Sequence, residues 1–269
     1  MTDSSNLFFL YDRPEINALI FHPRPDFSDS PPAGAEDHLF KVAPDMEIGA
    51  RFYLSDPAGP HLLFFHGNGE IASDYDEAGV LYNQFGLNLL AMDYRGYGKS
   101  QGMPSLGTLL TDALVLFDLV YEWIQEKGRR GPLLIMGRSL GSAPAIEIAS
   151  KRMEKIAGLI IESGFAHSLP LLELIGIPVE GLGLQEKDGF RNFQKISHIT
   201  KPTLILHAQF DELIPMQEAD VLLKNSGARR KEMIIIPRAG HNDILMRCGR
   251  EYFNTIARFA NSLKPRGKD

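Results

Sequence analysis

The chain has 269 residues, with 28 Lys and Arg against 34 Asp and Glu, which gives a formal net charge of −6. Hydrophobic residues make up 44% of the sequence, so a chain of this length can bury a sizeable core without covalent cross-links. The single cysteine excludes an internal disulfide framework. The mild acidity argues against a nucleic-acid-binding protein, which needs a basic surface.

The first residues show neither a secretory signal nor a membrane-spanning segment. Residues 1–6 are polar and acidic, whereas a secretory signal has basic residues followed by a long apolar core. The apolar run at 7–11 is far shorter than the about 20 residues of a spanning helix. We therefore expect a soluble, cytoplasmic protein without integral membrane association.

Short apolar runs predict the strands. Residues 22–37 are rich in Pro, Asp and Ser and predict a surface loop, and residues 39–54 predict an antiparallel hairpin. Six continuous apolar runs follow, at 61–65, 87–92, 132–136, 158–161, 203–206 and 233–236. Continuous runs of this length are typical of strands that are buried on both faces of a parallel sheet.

Helical periodicity alternates with these runs. Apolar residues recur at helical spacing over 108–126, 142–153, 216–224 and 244–263. Alternation of strands and helices predicts an α/β fold with a doubly wound, mostly parallel sheet.

The stretch 164–202 is longer than the dozen or so residues that a plain crossover needs. Its start, 169–177, is apolar, and we predict a small lid here. An ordinary crossover helix with a longer loop is the alternative. No repeat or linker divides the chain, so residues 1–269 are expected to form a single domain.

A G-x-S-x-G pattern occurs twice, at 98–102 and at 137–141. The chemistry of this pattern requires a strand, a sharp turn with small flanking residues and a helix. Ser139 has that context, because a predicted strand precedes it and a predicted helix follows. Ser100 lacks the strand. We predict Ser139 as the nucleophile and Ser100 as a turn residue.

A serine nucleophile needs a histidine base that a carboxylate orients, each in a loop after a strand. Of the eight histidines, His241 fits best, because it follows the last predicted strand and a glycine. Asp211 follows the preceding strand, with Glu212 beside it, and is the better candidate for the acid. Glu162 also ends a strand and is the reserve candidate. Asp93 precedes Ser139 in the chain, and we interpret it as a structural anchor of its loop.

The oxyanion of an acyl-transfer reaction needs two N–H donors. One is expected from the backbone of Leu140, directly after the nucleophile. The other is expected from the loop after the 61–65 strand, at Asn68, with Gly69 as the alternative. Taken alone, the glycines of this loop could also indicate a simple turn.

These residues together resemble the serine α/β-hydrolase superfamily. The resemblance rests on 66–69, 93–100, 137–142, Asp211 with Pro215, and 240–241. It is closest to the small-lid branch with esterase-like and acyl-thioesterase-like members. The resemblance implies an eight-stranded, mostly parallel sheet and hydrolysis of esters or thioesters without a cofactor.

The working hypothesis is a serine hydrolase that cleaves carboxylic esters or thioesters, with a small-molecule acyl substrate as its partner. A peptidase with the same triad and a catalytically idle binding module are the alternatives. A dehalogenase is disfavoured, because that chemistry places a carboxylate at the position of Ser139. The sequence shows no metal-ligand spacing, phosphate-binding loop or dinucleotide fingerprint, so neither a metal nor a cofactor is expected.

Overall fold

An eight-stranded sheet forms the centre of the computed structural model, which describes residues 11–28 and 30–264. In chain order the strands are β1 (Ala35–Ala43), β2 (Met46–Tyr53), β3 (His61–Phe65), β4 (Asn88–Met92), β5 (Leu133–Arg138), β6 (Gly158–Glu162), β7 (Thr203–Ala208) and β8 (Lys231–Ile236). Their order across the sheet is β1-β2-β4-β3-β5-β6-β7-β8. β2 is antiparallel to both of its neighbours, and the other neighbouring pairs are parallel. The mostly parallel α/β sheet and the hairpin are therefore confirmed.

Helices cover both faces of this sheet. In the described part of the chain they are α1 (Pro14–Ile20), α2 (Asp76–Gln84), α3 (Leu106–Glu126), α4 (Ser142–Lys151), α5 (Leu169–Leu174), α6 (Asn192–Ile196), α7 (Met216–Asn225), α8 (Ile244–Cys248) and α9 (Arg250–Asn261). On β3, Leu63 and Phe65 join the core cluster that includes α3 and α4, whereas Leu62 and Phe64 join the cluster that includes α2 and α9. Burial on both faces explains why the strands appear in the sequence as unbroken apolar runs.

The single helix predicted over 244–263 is wrong. The structure has two helices there, α8 and α9, separated by Gly249 with φ 55° and ψ −134°. This backbone conformation is incompatible with a helix and is accessible to glycine because glycine has no Cβ. Apolar spacing continues through the break, so periodicity alone did not show it.

Several strands are longer than the predicted runs, among them β1, β5, β7 and β8. β1 begins at Ala35, inside the stretch that was predicted as a loop. β5 continues to Arg138, because Gly137 and Arg138 pair with Ile161 and Glu162 of β6. The longer β5 brings the strand directly up to Ser139.

The stretch 164–202 contains α5, a 3₁₀ turn at Glu186–Asp188 and α6. Several of its apolar side chains are buried in the core cluster on one face of the sheet: Leu172, Ile177, Val179, Leu184 and Phe190. The segment is therefore packed onto the body of the protein along its length, while Leu174 and Ile175 remain exposed.

None of the helices in residues 11–28 and 30–264 combines the length and the hydrophobicity needed to cross a membrane. The polar N-terminus and most of the apolar run at 7–11 lie outside the described residues.

Candidate active site

β5 passes into α4 through a sharp turn at Ser139. Ser139 has a φ of 51°, in the left-handed region that residues with a Cβ rarely adopt. A 3₁₀ turn over Ser139–Gly141 follows, and α4 begins at Ser142. The strand, turn and helix expected around Ser139 are all present, and the strained backbone places its hydroxyl beyond the end of β5.

The glycines on either side of Ser139 are required by close backbone contacts. A Cβ at Gly137 would lie 2.1 Å from the carbonyl oxygen of Gly141. A Cβ at Gly141 would lie 2.0 Å from the carbonyl oxygen of Phe65, at the end of β3. Any larger residue at either position would push the turn at Ser139 away from the sheet.

The other G-x-S-x-G copy lies in the loop between β4 and α3. The Ser100 hydroxyl accepts a hydrogen bond from the N–H of Gly49 at 2.9 Å, which joins this loop to β2. Gly98 packs against the Asp93 carboxylate so closely that a Cβ there would lie 2.0 Å from Oδ2. In the structure Ser100 is part of a turn that anchors the loop.

Ser139, His241 and Asp211 form a continuous chain of hydrogen bonds. The Ser139 hydroxyl lies 2.9 Å from Nε2 of His241, and Nδ1 of the same ring lies 2.9 Å from both carboxylate oxygens of Asp211. Since the carboxylate can only accept, Nδ1 carries the proton and Nε2 accepts from the serine. The His241 side chain is 3% exposed and the Asp211 side chain is fully enclosed, so water competes little with these bonds.

The loop after β7 holds the Asp211 carboxylate ready for the histidine. Its Oδ1 accepts hydrogen bonds from the N–H groups of Leu213 (3.1 Å) and Ile214 (2.8 Å). Burial alone raises the pKa of the Asp211 carboxyl, but the hydrogen bond from His241 and the N–H of Ile214 outweigh burial and hold the pKa below its usual value. Asp211 is therefore ionised at neutral pH.

The backbone of His241 is held as firmly as its ring. Its N–H donates to Oε2 of Glu212 at 3.0 Å, and its carbonyl oxygen accepts from Nη2 of Arg138 at 3.0 Å. Neither contact was predicted from the sequence. The one sequence feature that could have indicated these residues is their position, because Glu212 directly follows Asp211 and Arg138 directly precedes Ser139.

The loop after β3 places the expected oxyanion donors near β5. The Asn68 side chain anchors this loop, because its Oδ1 accepts from the hydroxyl of Tyr97 at 2.7 Å and from the N–H of His22 at 3.0 Å. Within the described residues, neither the N–H of Asn68 nor that of Gly69 donates to a backbone carbonyl.

The remaining carboxylates have other partners. Glu162, the reserve acid, pairs with Nε of Arg138 at 3.2 Å and accepts a hydrogen bond from the Tyr252 hydroxyl. Asp93 lies 3.2 Å from Nε2 of His66 and accepts from the N–H of Ala72 at 2.8 Å. The ring of His241 is thus bonded to Asp211, whereas Glu162 and Asp93 are committed elsewhere.

Known proteins resemble this chain in sequence. A family model described as "Serine aminopeptidase, S33" matches residues 56–175. An uncharacterized protein of Mycobacterium tuberculosis is 30% identical over 241 residues, which cover 88% of this chain and 83% of that protein. The alpha/beta hydrolase domain-containing protein WAV2 of Arabidopsis thaliana is 26% identical, over 86% of this chain and 80% of its own length. The chain belongs to the α/β-hydrolase superfamily.

Solved structures show the same fold. The Pyrococcus furiosus esterase Pf2001 aligns with a TM-score of 0.71 at 17% identity, over 90% of this chain and 98% of that chain. The eight-stranded sheet of this chain therefore follows the α/β-hydrolase architecture.

Replacing Gly141 by alanine tests the tight turn. We expect Gly141→Ala to lower the free energy of unfolding by about 1–3 kcal/mol or more, because the new Cβ overlaps the Phe65 carbonyl. Denaturant titration measures the change. Gly181→Ala is the matched control, since the nearest atom to its Cβ would be at 3.6 Å. Equal stabilities of the two variants would contradict the steric account.

The depressed pKa of Asp211 predicts a pH-dependent contribution to stability. A carboxylate whose pKa is lower in the folded state stabilises above its unfolded pKa of about 3.9 and loses this contribution as pH falls through the folded pKa. The difference in Tm between wild type and Asp211→Asn should therefore shrink as pH falls below about 4. Asp45→Asn, at an exposed turn position, provides the control. A difference that stayed constant from neutral to strongly acid pH would contradict the prediction.

Proposed function

We propose that this protein is a serine hydrolase that cleaves carboxylic esters and thioesters through an acyl-enzyme. The observation that carries the proposal is the hydrogen-bond chain from Ser139 through His241 to Asp211, with 2.9 Å at each link. A serine hydroxyl is a weak nucleophile unless a base removes its proton, and this chain supplies that base in the correct tautomer.

In the first half-reaction the Ser139 oxygen attacks the acyl carbonyl carbon while its proton passes to Nε2 of His241. The Asp211 carboxylate keeps Nδ1–H in place and stabilises the positive ring. The N–H groups of Leu140 and Asn68 bind the oxyanion that forms. We favour Asn68, with Gly69 as the alternative, because hydrogen bonds from Tyr97 and His22 hold the Asn68 side chain and so anchor the loop at this residue.

The tetrahedral intermediate then collapses, and His241 donates its proton to the departing alcohol or thiol. This leaves an ester between the acyl group and Ser139. Water attacks that ester with His241 as the base, which releases the carboxylic acid and restores the serine hydroxyl. The whole cycle uses groups of this chain and water.

Exposed apolar side chains in the loop that carries Asp211 favour an acyl group with a hydrocarbon chain. Phe210, directly before Asp211, is 63% exposed, and Leu213 of the same loop is 42% exposed. Leu174 and Ile175, in the segment 164–202, are also exposed. We propose that this segment is the small lid of a single α/β-hydrolase domain and that it contributes to acyl binding.

Two other functions remain as outcomes of the tests. A peptidase on the same triad is suggested by the description of the matching family model. A catalytically idle binding module would keep the fold without the chemistry. Leaving-group assays separate the peptidase from the esterase, and covalent labelling separates the enzyme from the binding module.

The two serines of the G-x-S-x-G copies give a matched pair of variants. Ser139→Ala should abolish labelling by a fluorophosphonate probe and lower kcat by several orders of magnitude, up to about 10⁶-fold. Ser100→Ala removes only an acceptor for the N–H of Gly49 and should keep kcat within about threefold of wild type. A wild-type protein that is not labelled would favour the binding module.

A series of acyl p-nitrophenyl esters tests the proposed substrate class. If the acyl chain binds to apolar side chains, kcat/KM should rise about tenfold from acetate to butyrate, because each buried methylene contributes about 0.8 kcal/mol. The matching butyryl thioester should also be cleaved, and Ser139→Ala gives the background rate. Cleavage restricted to an aminoacyl p-nitroanilide would instead identify a peptidase.

A further inference from the structure

Arg138 links several loops at the edge of the sheet. Its Nη2 donates to the carbonyl oxygen of His241 and to Oδ1 of Asn242, both at 3.0 Å. Nε lies 3.2 Å from a carboxylate oxygen of Glu162, and Nη1 pairs with Oε1 of Glu70. Arg138 is 9% exposed, so its charge is almost fully compensated by protein groups. One guanidinium therefore fixes the backbone of the proposed base.

Glu70 extends this contact to the proposed oxyanion loop. While Oε1 pairs with Arg138, Oε2 accepts hydrogen bonds from the N–H of Gly67 and the hydroxyl of Tyr75, each at 2.7 Å. A Cβ at Gly67 would lie 2.5 Å from Nη1 of Arg138, so the loop backbone packs directly on the ion pair. Gly67 precedes Asn68, the proposed oxyanion donor.

Resting on the function proposed above, we propose that the ion pair between Arg138 and Glu70 positions the His241 loop and the oxyanion loop relative to each other. Neither side chain touches the reacting atoms. The pair acts through the carbonyl of His241 at one end and the N–H of Gly67 at the other. The ion pair therefore determines the relative position of the proposed base, His241, and the proposed oxyanion donor, Asn68, which must act on the same transition state.

The planar fork of arginine is what allows this role. Each nitrogen of the Arg138 guanidinium contacts a different partner: Nη1 pairs with Glu70, Nη2 donates to the carbonyl of His241, and Nε pairs with Glu162. A lysine at the same position keeps the charge but offers a single ammonium group that cannot reach all three partners in this geometry. Arg138→Lys therefore removes the simultaneous contacts to Glu70 and His241, while the lysine still supplies a positive charge to the buried carboxylates.

The experiment measures catalysis per active site in Arg138→Lys and Glu70→Gln. Fluorophosphonate titration first counts the competent sites, so that a loss of folded protein is not scored as a loss of rate. We expect kcat for p-nitrophenyl butyrate to fall about 10²-fold, the size of effect that a displacement of about 1 Å produces, with KM within about threefold. Inhibition by an alkyl boronic acid, which occupies the oxyanion position, should weaken in parallel with kcat.

The matched control is Arg95→Lys. Arg95 forms a bidentate ion pair with Asp112, at 2.6 and 2.8 Å, in which the two side chains are 20% and 11% exposed. This pair contacts no residue of the proposed triad, so its loss should leave kcat per active site within about twofold of wild type. The double variant Arg138→Lys/Glu70→Gln should be no slower than the slower single variant, because the two residues act as one unit.

The outcomes separate this inference from the proposed function. An unlabelled, inactive wild type would overturn the proposed function and this inference with it. An active wild type with Arg138→Lys and Glu70→Gln at unchanged kcat per site would overturn the inference alone. A similar loss of kcat in Arg95→Lys would also overturn it, since the effect would then belong to any enclosed ion pair. If Arg138→Lys does not fold, Glu70→Gln decides by the same measurements.

Discussion

Parallel pairing brings the ends of β3, β5, β6, β7 and β8 to one edge of the sheet, and the site is built from the residues that follow those ends. In the parallel ladders, Phe65 lies opposite Gly137, Arg138 opposite Glu162, and Ala208 opposite Ile236. The loops therefore emerge side by side. This geometry brings the Ser139 hydroxyl to the ring of His241 across 102 residues of sequence. A shift in strand register would separate them, because each loop starts where its strand ends.

Two enclosed arginines tie the loops and helices around this sheet together. Arg51 of β2 is 2% exposed and pairs with carboxylates of Asp26, Asp37 and Asp76. Arg138 does the same at the site edge with Glu70 and Glu162. Guanidinium groups suit this use, because they keep their charge on burial and donate in several fixed directions. Removing the arginine would leave its buried carboxylates without a compensating charge, so each cluster favours a single arrangement of its segments.

The fold class was predictable because strands that are buried on both faces of the sheet appear in the sequence as continuous apolar runs. The six apolar runs and the alternating helical patterns identified the central strands and most of the long helices. The break at Gly249 was not predictable, since apolar spacing continues through it and one glycine does not by itself end a helix. The beginning of β1 at Ala35 was hidden for a related reason, because edge strands are only partly buried and show weaker patterns.

The sequence by itself determined which chemical groups are candidates for the proposed site and their order along the chain. Ser139, Asp211 and His241 each follow an apolar run, and glycines precede both Ser139 and His241 at close range. Only the tertiary structure decided that the ring of His241 meets Asp211 while Glu162 pairs with Arg138. It also decided that Glu212 and Arg138 hold the backbone of His241. The physical reason is that the local pattern of apolar residues and glycines reflects burial and turn geometry. Hydrogen-bond partners, in contrast, depend on which loops the sheet brings together.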